Sequence, residues 1–364
     1  MIGPSVLELH HKAKQGDVRA QVRLGLTLEA GGRANEGLDW LALAARRGDV
    51  EALTLVGTRL VAGRCGPGLA AQGVGLLEDA VRAGGADAVA QLAVLDAAGM
   101  HRPQDWPRAL DHLQRAAELG RREAQLELAI LAGQVRAAPK PTETWGRLRD
   151  LVELAALASP PAGSELSADP RIHAYEGFAS EGACRWIIRQ SRPKLQRALV
   201  YDEASGTTVV ARDRNNRVAN FSISDTNLVI LWIQQKIARA AGVALATAEG
   251  ASVLCYGPGE QAGDHFDFLD PEVPAYRREI ALSGQRIATC LVYLNQGYSG
   301  GTTDFPVLGL SHAPQRGGAL LFSNVDPAGA VDRRTLHAGR PLLGGEKWVL
   351  SNFVRDRAYM SAPN

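Results

Sequence analysis

The sequence predicts two domains of different class, an all-α helical-repeat solenoid followed by an α+β domain with a β core. The chain has 364 residues, about twice the length of an average domain. Roughly the first third of the chain repeats a Gly and Ala pattern at helical spacing. The second half changes to short alternating apolar runs separated by Gly and Pro clusters, which is typical of strands joined by turns.

Composition narrows the functional class. Apolar residues make up 46% and charged residues 22% of the chain, as in ordinary soluble proteins. The net charge of +1 argues against a nucleic-acid or membrane-surface partner, which a basic excess would favour. Four cysteines without CxxC spacing predict no disulfide framework or zinc site. With no signal-peptide pattern and no apolar run approaching a membrane span, we expect a cytoplasmic protein.

The repeats are marked by four glycines, each followed four residues later by alanine: Gly16 and Ala20, Gly48 and Ala52, Gly84 and Ala88, Gly120 and Ala124. Periods of this length are typical of helical-repeat solenoids, in which each unit buries its apolar face against its neighbours. Gly is expected to end one helix in a left-handed conformation, and Ala to let the next helix pack closely. The alternative is an Ala-rich bundle with accidental Gly register.

The segments AARRGDVEALTLVG and AAELGRREAQLELA resemble Sel1-like repeats, a tetratricopeptide-type helix pair. We assign residues 1–133 to these repeats, and the resemblance implies a surface that binds a protein or peptide. Residues 134–167 are interpreted as a terminal helix over Thr144–Leu157 and a linker at Ser159–Ser164, because Pro and Gly cluster there. The second domain is expected to span residues 168–364.

The second domain is predicted to combine two helices with a β core. The helices are expected at Ser180–Gln190 and Thr226–Ala241. Strands are expected in four apolar runs: Ser252–Tyr256, Ile287–Leu294, Ala319–Phe322 and Trp348–Val354. Several short strands with turn signals between them indicate a sandwich, jelly roll or barrel.

A candidate metal site begins at His265-Phe266-Asp267. On a strand, residues i and i+2 project from the same face, so this His and Asp can reach one ion. His337, near the end of a later β-like segment, is the third candidate ligand. Two His and one carboxylate form the facial triad of non-haem Fe(II) oxygenases. A lone His-x-Asp triplet arises easily by chance in a chain with eight His, so its surroundings decide its weight.

Those surroundings include a candidate anion site. Lys347 lies ten residues after His337, and Ser351 is predicted to face the same side of the following strand. A cation there can pair with the distal carboxylate of a 2-oxo acid whose other end chelates the metal. Tyr256 and Tyr293 are predicted to add hydroxyl donors to that carboxylate.

Five segments of the second domain carry a family resemblance. They are YGPGEQAGDHFD, GQRIATCLVYLNQGYSGGTTDFP, APQRGGALLF, LHAGRPLLGGEKWVLSNFVRDR and, upstream of these, an Arg-rich segment at Arg212–Asn215. Together they resemble the prolyl 4-hydroxylase branch of the Fe(II)/2-oxoglutarate dioxygenases. The resemblance implies a double-stranded β-helix, or jelly roll. It implies Fe(II) held by His265, Asp267 and His337. It also implies 2-oxoglutarate anchored by Lys347 with Tyr256 and Tyr293, and with Thr289 or Ser351 as a further contributor.

The activity implied is hydroxylation coupled to conversion of 2-oxoglutarate and O₂ into succinate and CO₂, with ascorbate as an additional reductant. Ala262 replaces a Tyr of the family pattern, which leaves open whether proline is the substrate. Arg214 and Trp348 are candidate substrate contacts, with a solvated loop arginine and a packing tryptophan as the alternatives. Two other functions remain open: hydroxylation of a free amino acid or small metabolite, and a non-catalytic interaction protein.

Overall fold

The computed structural model describes residues 5–63, 68–133, 144–198, 200–202, 207–209 and 215–359. These residues form two compact units. The first comprises the described residues up to Leu128 with residues 144–150, and the second comprises residues 129–133 with the described residues from Leu151 onward. Within the described ranges, no helix is both long enough and apolar enough to cross a membrane.

The N-terminal part is built from successive helices: α1 (Val6–Lys14), α2 (Val18–Ala30), α3 (Ala34–Ala45), α4 (Val50–Val61), α5 (Ala70–Arg82), α6 (Ala86–Ala98), α7 (Trp106–Glu118), α8 (Arg122–Leu131) and α9 (Trp145–Asp150). Packing is most extensive within the pairs α2–α3, α4–α5 and α6–α7. This arrangement of consecutive helix pairs confirms the predicted helical-repeat class.

The repeated residues have the predicted roles. All four repeat glycines are left-handed, with φ between 79° and 91°. The alanines that follow them are at most 4% exposed. Asp17 and Asp49 follow the first two glycines, and their carboxylates accept hydrogen bonds from the N–H groups of Ala20 and Ala52, at 3.0 and 2.8 Å. These bonds satisfy amides that otherwise lack partners at a helix start.

A second set of glycines allows helices α4 and α5 to approach closely. A Cβ added at Gly73 would lie 2.8 Å from the carbonyl oxygen of Gly57 and 2.9 Å from the backbone nitrogen of Val61. Backbone atoms fixed in a helix cannot move aside as a flexible side chain can. Contact between α4 and α5 therefore requires glycine at position 73.

We expect Gly73→Ala to destabilise the protein by about 1–3 kcal/mol, because overpacking at the contact outweighs the better helix propensity of alanine. Gly75→Ala is the matched control, since it lies on the same helix and its Cβ would meet no atom within 4 Å. This control should stabilise the protein by about 0.5–1 kcal/mol. Denaturant unfolding of both variants measures the difference, and equal shifts in the same direction would contradict the packing argument.

The second unit combines helices and strands. Its helices are α10 (Leu154–Ala158), α11 (Glu181–Ser191), α12 (Leu228–Ala241) and α13 (Pro274–Ser283). Its strands are β1 (Gly163–Ala168), β2 (Arg171–Tyr175), β3 (Gln196–Arg197), β4 (Val200–Asp202), β5 (Thr207–Val209), β6 (Arg217–Asn220), β7 (Ser252–Tyr256), β8 (Ala262–His265), β9 (Arg286–Tyr293), β10 (Ser299–Gly300), β11 (Thr303–Phe305), β12 (Leu310–His312), β13 (Ala319–Ser323), β14 (His337–Gly339), β15 (Leu342–Gly344) and β16 (Lys347–Arg355).

Two antiparallel sheets define the core of this unit. The larger has strand order β1-β2-β13-β9-β16-β7-β6-β3, and the smaller has order β12-β11-β14-β8. A buried cluster joins them: Phe305 of the smaller sheet packs with Ile172, Tyr293, Leu320, Phe322 and Val349 of the larger. The Phe305 and Phe322 rings meet edge to face with centroids 5.1 Å apart. Two sheets facing each other across an apolar core confirm the predicted jelly roll.

The predicted helices and four predicted strands of this unit are present, with boundaries shifted by at most two residues. The prediction of one helix over Thr144–Leu157 is wrong, because the chain forms two short helices there, α9 and α10. Between them, Val152 is 6% exposed and Leu151 is 55% exposed. The interpretation of Ser159–Ser164 as linker is wrong at its end, where β1 begins at Gly163 and pairs with β2.

Candidate active site

The two predicted histidine ligands lie opposite each other on neighbouring strands. β14 pairs with β8 in antiparallel register, which places His337 directly across from His265. Asp267 lies just beyond the end of β8, so the chain leaves the strand before the carboxylate. Its Oδ1 lies 3.6 Å from Nε2 of His265, and its Oδ2 lies 3.3 Å from Nε2 of His337. One potential ligand atom from each side chain fits within a span of 4.8 Å.

Backbone carbonyls orient both imidazoles. Nδ1 of His265 lies 2.8 Å from the carbonyl oxygen of Gly263, and Nδ1 of His337 lies 3.0 Å from that of Thr335. A carbonyl oxygen only accepts hydrogen bonds, so each Nδ1 carries the proton and donates it. The Nε2 lone pairs are thereby left to face Asp267, as in metal-binding histidines held by a backbone partner.

Asp267 is 7% exposed and completes the cluster. Burial by itself raises the pKa of this carboxyl group. When protons rather than a metal occupy the Nε2 atoms, the positive charge and hydrogen bonding of His337 and His265 outweigh burial and hold the pKa of Asp267 below its ordinary value. Two imidazole nitrogens and a carboxylate anion fit an Fe(II) ion and leave coordination positions for other ligands.

Lys347 supplies a buried positive charge. It is 3% exposed, and its Nζ lies 5.4 Å from the ring centroids of both Tyr256 and Tyr293. Nζ donates a hydrogen bond to the carbonyl oxygen of Gly301 at 2.6 Å. Among the described residues, no carboxylate lies within 4.0 Å of it. Burial lowers the pKa of Lys347 to about 8, against a smaller opposing effect of Asp304. A buried ammonium of this kind is suited to pairing with an anionic ligand.

One cavity joins the histidine–aspartate cluster to this ammonium. Its polar lining includes the three candidate ligands with Lys347, Tyr256, Thr303 and Ser351. Its remaining lining is small or apolar: Leu254, Ala262, Leu291, Gly339, Val349 and Phe353. The cavity therefore offers metal ligands, an anion site and apolar walls to the same bound molecule.

Of the other residues predicted to bind the co-substrate or substrate, some line the cavity and others do not. Ser351 lines the cavity. Tyr293 does not, but its hydroxyl group lies 2.7 Å from Oγ1 of Thr303, which does. Thr289 does not line the cavity, and its hydroxyl accepts a hydrogen bond from Nδ2 of Asn324 at 3.0 Å, so the structure does not bring it to the co-substrate site. Arg214 lies outside the described residues.

Trp348 does not line the cavity. It is 1% exposed, and its indole N–H donates to a carboxylate oxygen of Glu346 at 2.8 Å. Arg192 covers its ring at 4.9 Å from the centroid. Strand alternation explains this position, because Lys347 faces the cavity and the next residue must face the opposite side.

The sequence interpretation missed Thr303, Val349 and Phe353. Alternation along β16 could have found the last two, since Lys347, Val349, Ser351 and Phe353 are alternate residues and all line the cavity. No sequence signal identifies Thr303, because it comes from the smaller sheet and reaches the site through the pairing of β11 with β14.

We expect binding of 2-oxoglutarate to the metal-loaded protein to weaken as the pH rises above about 8. Above that pH, Lys347 is mostly neutral in the ligand-free cavity. Binding of the anion then requires Lys347 to take up a proton first, which weakens the observed affinity. Affinity should fall by up to about tenfold per pH unit above that pKa. Calorimetric titration at several pH values tests this dependence, and affinity that rises through this range would contradict it.

The fold and this site together define a jelly-roll Fe(II) dioxygenase domain that uses a 2-oxo acid. Residues 251–355 match the model of the 2OG-Fe(II) oxygenase superfamily, and this part of the chain is therefore a domain of that superfamily. The resemblance to prolyl 4-hydroxylases is confirmed by similarity to the rat prolyl 4-hydroxylase subunit alpha-1, with 34% identity over 188 residues, which cover 52% of this chain and 35% of the relative.

The share of each relative that aligns with this chain differs from one relative to the next. Probable prolyl 4-hydroxylase 7 of Arabidopsis thaliana is 29% identical over 219 residues, which cover 55% of this chain and 67% of the relative. The viral collagen prolyl hydroxylase of Paramecium bursaria Chlorella virus-1 aligns with a TM-score of 0.39 and 27% identity, over 50% of this chain and 94% of that one. A Sel1 repeat protein from Oxalobacter formigenes aligns with a TM-score of 0.34 and 21% identity, over 42% of this chain and 66% of that one. The chain spans about a third of the length of the vertebrate relatives.

Proposed function

We propose that the protein hydroxylates an amino-acid side chain, with proline as first choice, in a protein or peptide recruited by the helical repeats. The substrate C–H group, O₂ and 2-oxoglutarate would be converted into the alcohol, succinate and CO₂. The observation that carries this proposal is the single cavity shared by the His265–Asp267–His337 cluster and the buried ammonium of Lys347.

Each part of the cavity has a role in this proposal. His265, Asp267 and His337 would hold Fe(II), which supplies the chemistry of oxygen activation when bound. Lys347 would pair with the distal carboxylate of 2-oxoglutarate, with Tyr256 and Ser351 beside it. The apolar side chains of Leu254, Leu291, Val349 and Phe353 exclude water between these polar groups, which strengthens each electrostatic contact.

The choice of a polypeptide substrate rests on two observations. The relatives from rat and Arabidopsis thaliana are named as a prolyl 4-hydroxylase subunit and a probable prolyl 4-hydroxylase. The first unit consists of consecutive helix pairs, and none of its described residues lines the cavity. Helical-repeat arrays commonly present extended binding surfaces, so recruitment of a polypeptide is a suitable role for it.

The test is to incubate the full chain with Fe(II), 2-oxoglutarate and air in three parallel reactions. One reaction contains a proline-containing peptide, one contains free L-proline, and one contains cell lysate. We expect a gain of one oxygen atom in the mass of a peptide or protein, together with succinate. The Asp267→Ala variant is the control. Oxidation of free L-proline with no modified polypeptide would replace the proposal with the small-molecule alternative.

Recruitment by the repeats has a separate test once a target protein has been identified. The full chain should have a lower KM for the intact target than for a short peptide carrying the same modified residue. Equal KM values would contradict recruitment and leave the hydroxylase proposal standing.

A further inference from the structure

The side chain of Asn295 binds the backbone on both sides of Lys347. Its Nδ2 donates a hydrogen bond to the carbonyl oxygen of Glu346 at 2.6 Å, and its Oδ1 accepts one from the N–H of Trp348 at 2.8 Å. A carbonyl oxygen only accepts and a backbone N–H only donates, so these two partners fix which way the amide points. The two peptide groups that flank Lys347 are therefore bound to the same side chain.

This contact begins where the pairing of two strands ends. The register of β9 against β16 stops with Tyr293 opposite Val349, and one more backbone bond joins the N–H of Leu294 to the carbonyl oxygen of Trp348 at 2.9 Å. The next residue, Asn295, presents its side-chain amide to β16. An asparagine side chain carries the same donor and acceptor groups as a peptide, so it extends the hydrogen-bonded ladder by one step.

Lys347 is the first residue of β16, so its backbone lies at the end of the sheet. In the sheet, β16 lies between β7 and β9, and Lys347 pairs with Tyr256 of β7. Asn295 binds the edge of the strand that faces β9. A strand end that is held at both edges opens less readily than one held at a single edge. The backbone of Lys347 is therefore fixed despite its terminal position.

The side chain of Lys347 is confined as well. Its Nζ donates to the carbonyl oxygen of Gly301 at 2.6 Å. Gly301 has a φ of 68°, and a Cβ added there would lie 3.2 Å from Cδ of Lys347. Closely packed groups cannot shift independently of their neighbours. The place of the ammonium in the cavity therefore depends on the place of the backbone that carries it.

We infer that Asn295 is a positioning residue for the ammonium of Lys347. The inference rests on the proposed function, in which Lys347 pairs with the distal carboxylate of 2-oxoglutarate. Asn295 does not line the cavity, so it acts through Lys347. It holds the start of β16 so that Nζ lies where the carboxylate arrives, and a hydrogen bond weakens steeply when its geometry is lost.

The experiment compares two ligands by anaerobic titration of the Fe(II)-loaded chain, followed by visible absorption. 2-Oxoglutarate and 2-oxopentanoate share a five-carbon chain and the end that chelates the metal, but only 2-oxoglutarate has a distal carboxylate. Asn295→Ala removes both hydrogen bonds beside Lys347, and Asn295 is only half-buried, so the variant should fold. We expect its affinity for 2-oxoglutarate to fall by about tenfold, because a hydrogen bond to a charged group contributes roughly that factor or more. Its affinity for 2-oxopentanoate should not change.

Gln234→Ala is the matched control in the same unit. Gln234, on helix α12, is 5% exposed, and its Nε2 donates to the carbonyl oxygen of Glu249 at 2.8 Å. It also carries an amide that supports the backbone, but it does not line the cavity or contact the start of β16. Its substitution should leave both affinities unchanged, even where it lowers the melting temperature.

Two results for Asn295→Ala would overturn the inference. One is unchanged affinity for both ligands, and the other is an equal loss for both, which would indicate a general effect on the fold. The unaltered chain tests the proposed function separately. If it binds 2-oxoglutarate no more tightly than 2-oxopentanoate, Lys347 does not hold a distal carboxylate, and its proposed role and the positioning role of Asn295 are both overturned.

Discussion

Replacing Asp267 with alanine is expected to abolish turnover of 2-oxoglutarate, with a loss on the order of a thousandfold or more. The substitution removes the only anionic member of the proposed ligand set and leaves two neutral imidazoles, which bind a hard dication less well. Succinate formation measured at saturating Fe(II) and 2-oxoglutarate gives the result directly.

Asp264→Ala is the matched control for this prediction. Asp264 lies on β8, three residues before Asp267, and its side chain is 48% exposed in an ion pair with Arg340. An exposed ion pair contributes about 0–1 kcal/mol, so this variant should fold and keep its activity within a few-fold. Equal activity in Asp267→Ala and Asp264→Ala would contradict the assignment of Asp267 as a metal ligand.

The second large effect concerns Lys347. Lys347→Met should weaken 2-oxoglutarate binding to the metal-loaded protein by about 100-fold or more, because one partner of a buried charge pair is lost. The metal-free variant should melt no lower than the original protein. Removal of an unpaired buried charge offsets the loss of the hydrogen bond to Gly301. Calorimetry and thermal unfolding measure the two effects.

Lys236→Met is the control for this substitution. Lys236 is also a buried lysine, 7% exposed, and its Nζ donates to the carbonyl oxygen of Phe178 at 2.9 Å. It does not line the cavity, so its removal should leave 2-oxoglutarate affinity unchanged. An equal loss of affinity in both lysine variants would indicate a general effect on the fold and would contradict the role of Lys347.

The sequence predicted the central part of the site because that part depends on short-range spacing. The two-residue offset of His265 and Asp267 and the alternation along the strand of Lys347 are local properties. His337 was also named as a candidate ligand from the sequence, although its register opposite His265 depends on the long-range pairing of β8 with β14. A one-residue change in that register would move the imidazole to the other face of the sheet.

The errors arose where long-range contacts decide the role of a residue. Thr289 was assigned to the co-substrate, but its side chain does not line the cavity and its hydroxyl accepts a hydrogen bond from Asn324. Trp348 follows the cavity lysine in sequence, yet strand alternation turns it towards Glu346. The break between α9 and α10 depends on burial of Val152, which apolar spacing along the chain does not reveal.

The most direct test of the account is anaerobic titration of the protein with 2-oxoglutarate in the presence and absence of Fe(II). Chelation of the 2-oxo acid by the metal gives a visible charge-transfer absorption. We predict that this absorption appears only when both ligands are present and saturates at one 2-oxoglutarate per chain. At the same ligand concentrations, it should be absent in both Asp267→Ala and Lys347→Met. Binding of 2-oxoglutarate with equal affinity without Fe(II), or in Asp267→Ala, would contradict a cavity in which metal and ammonium hold the two ends of one molecule.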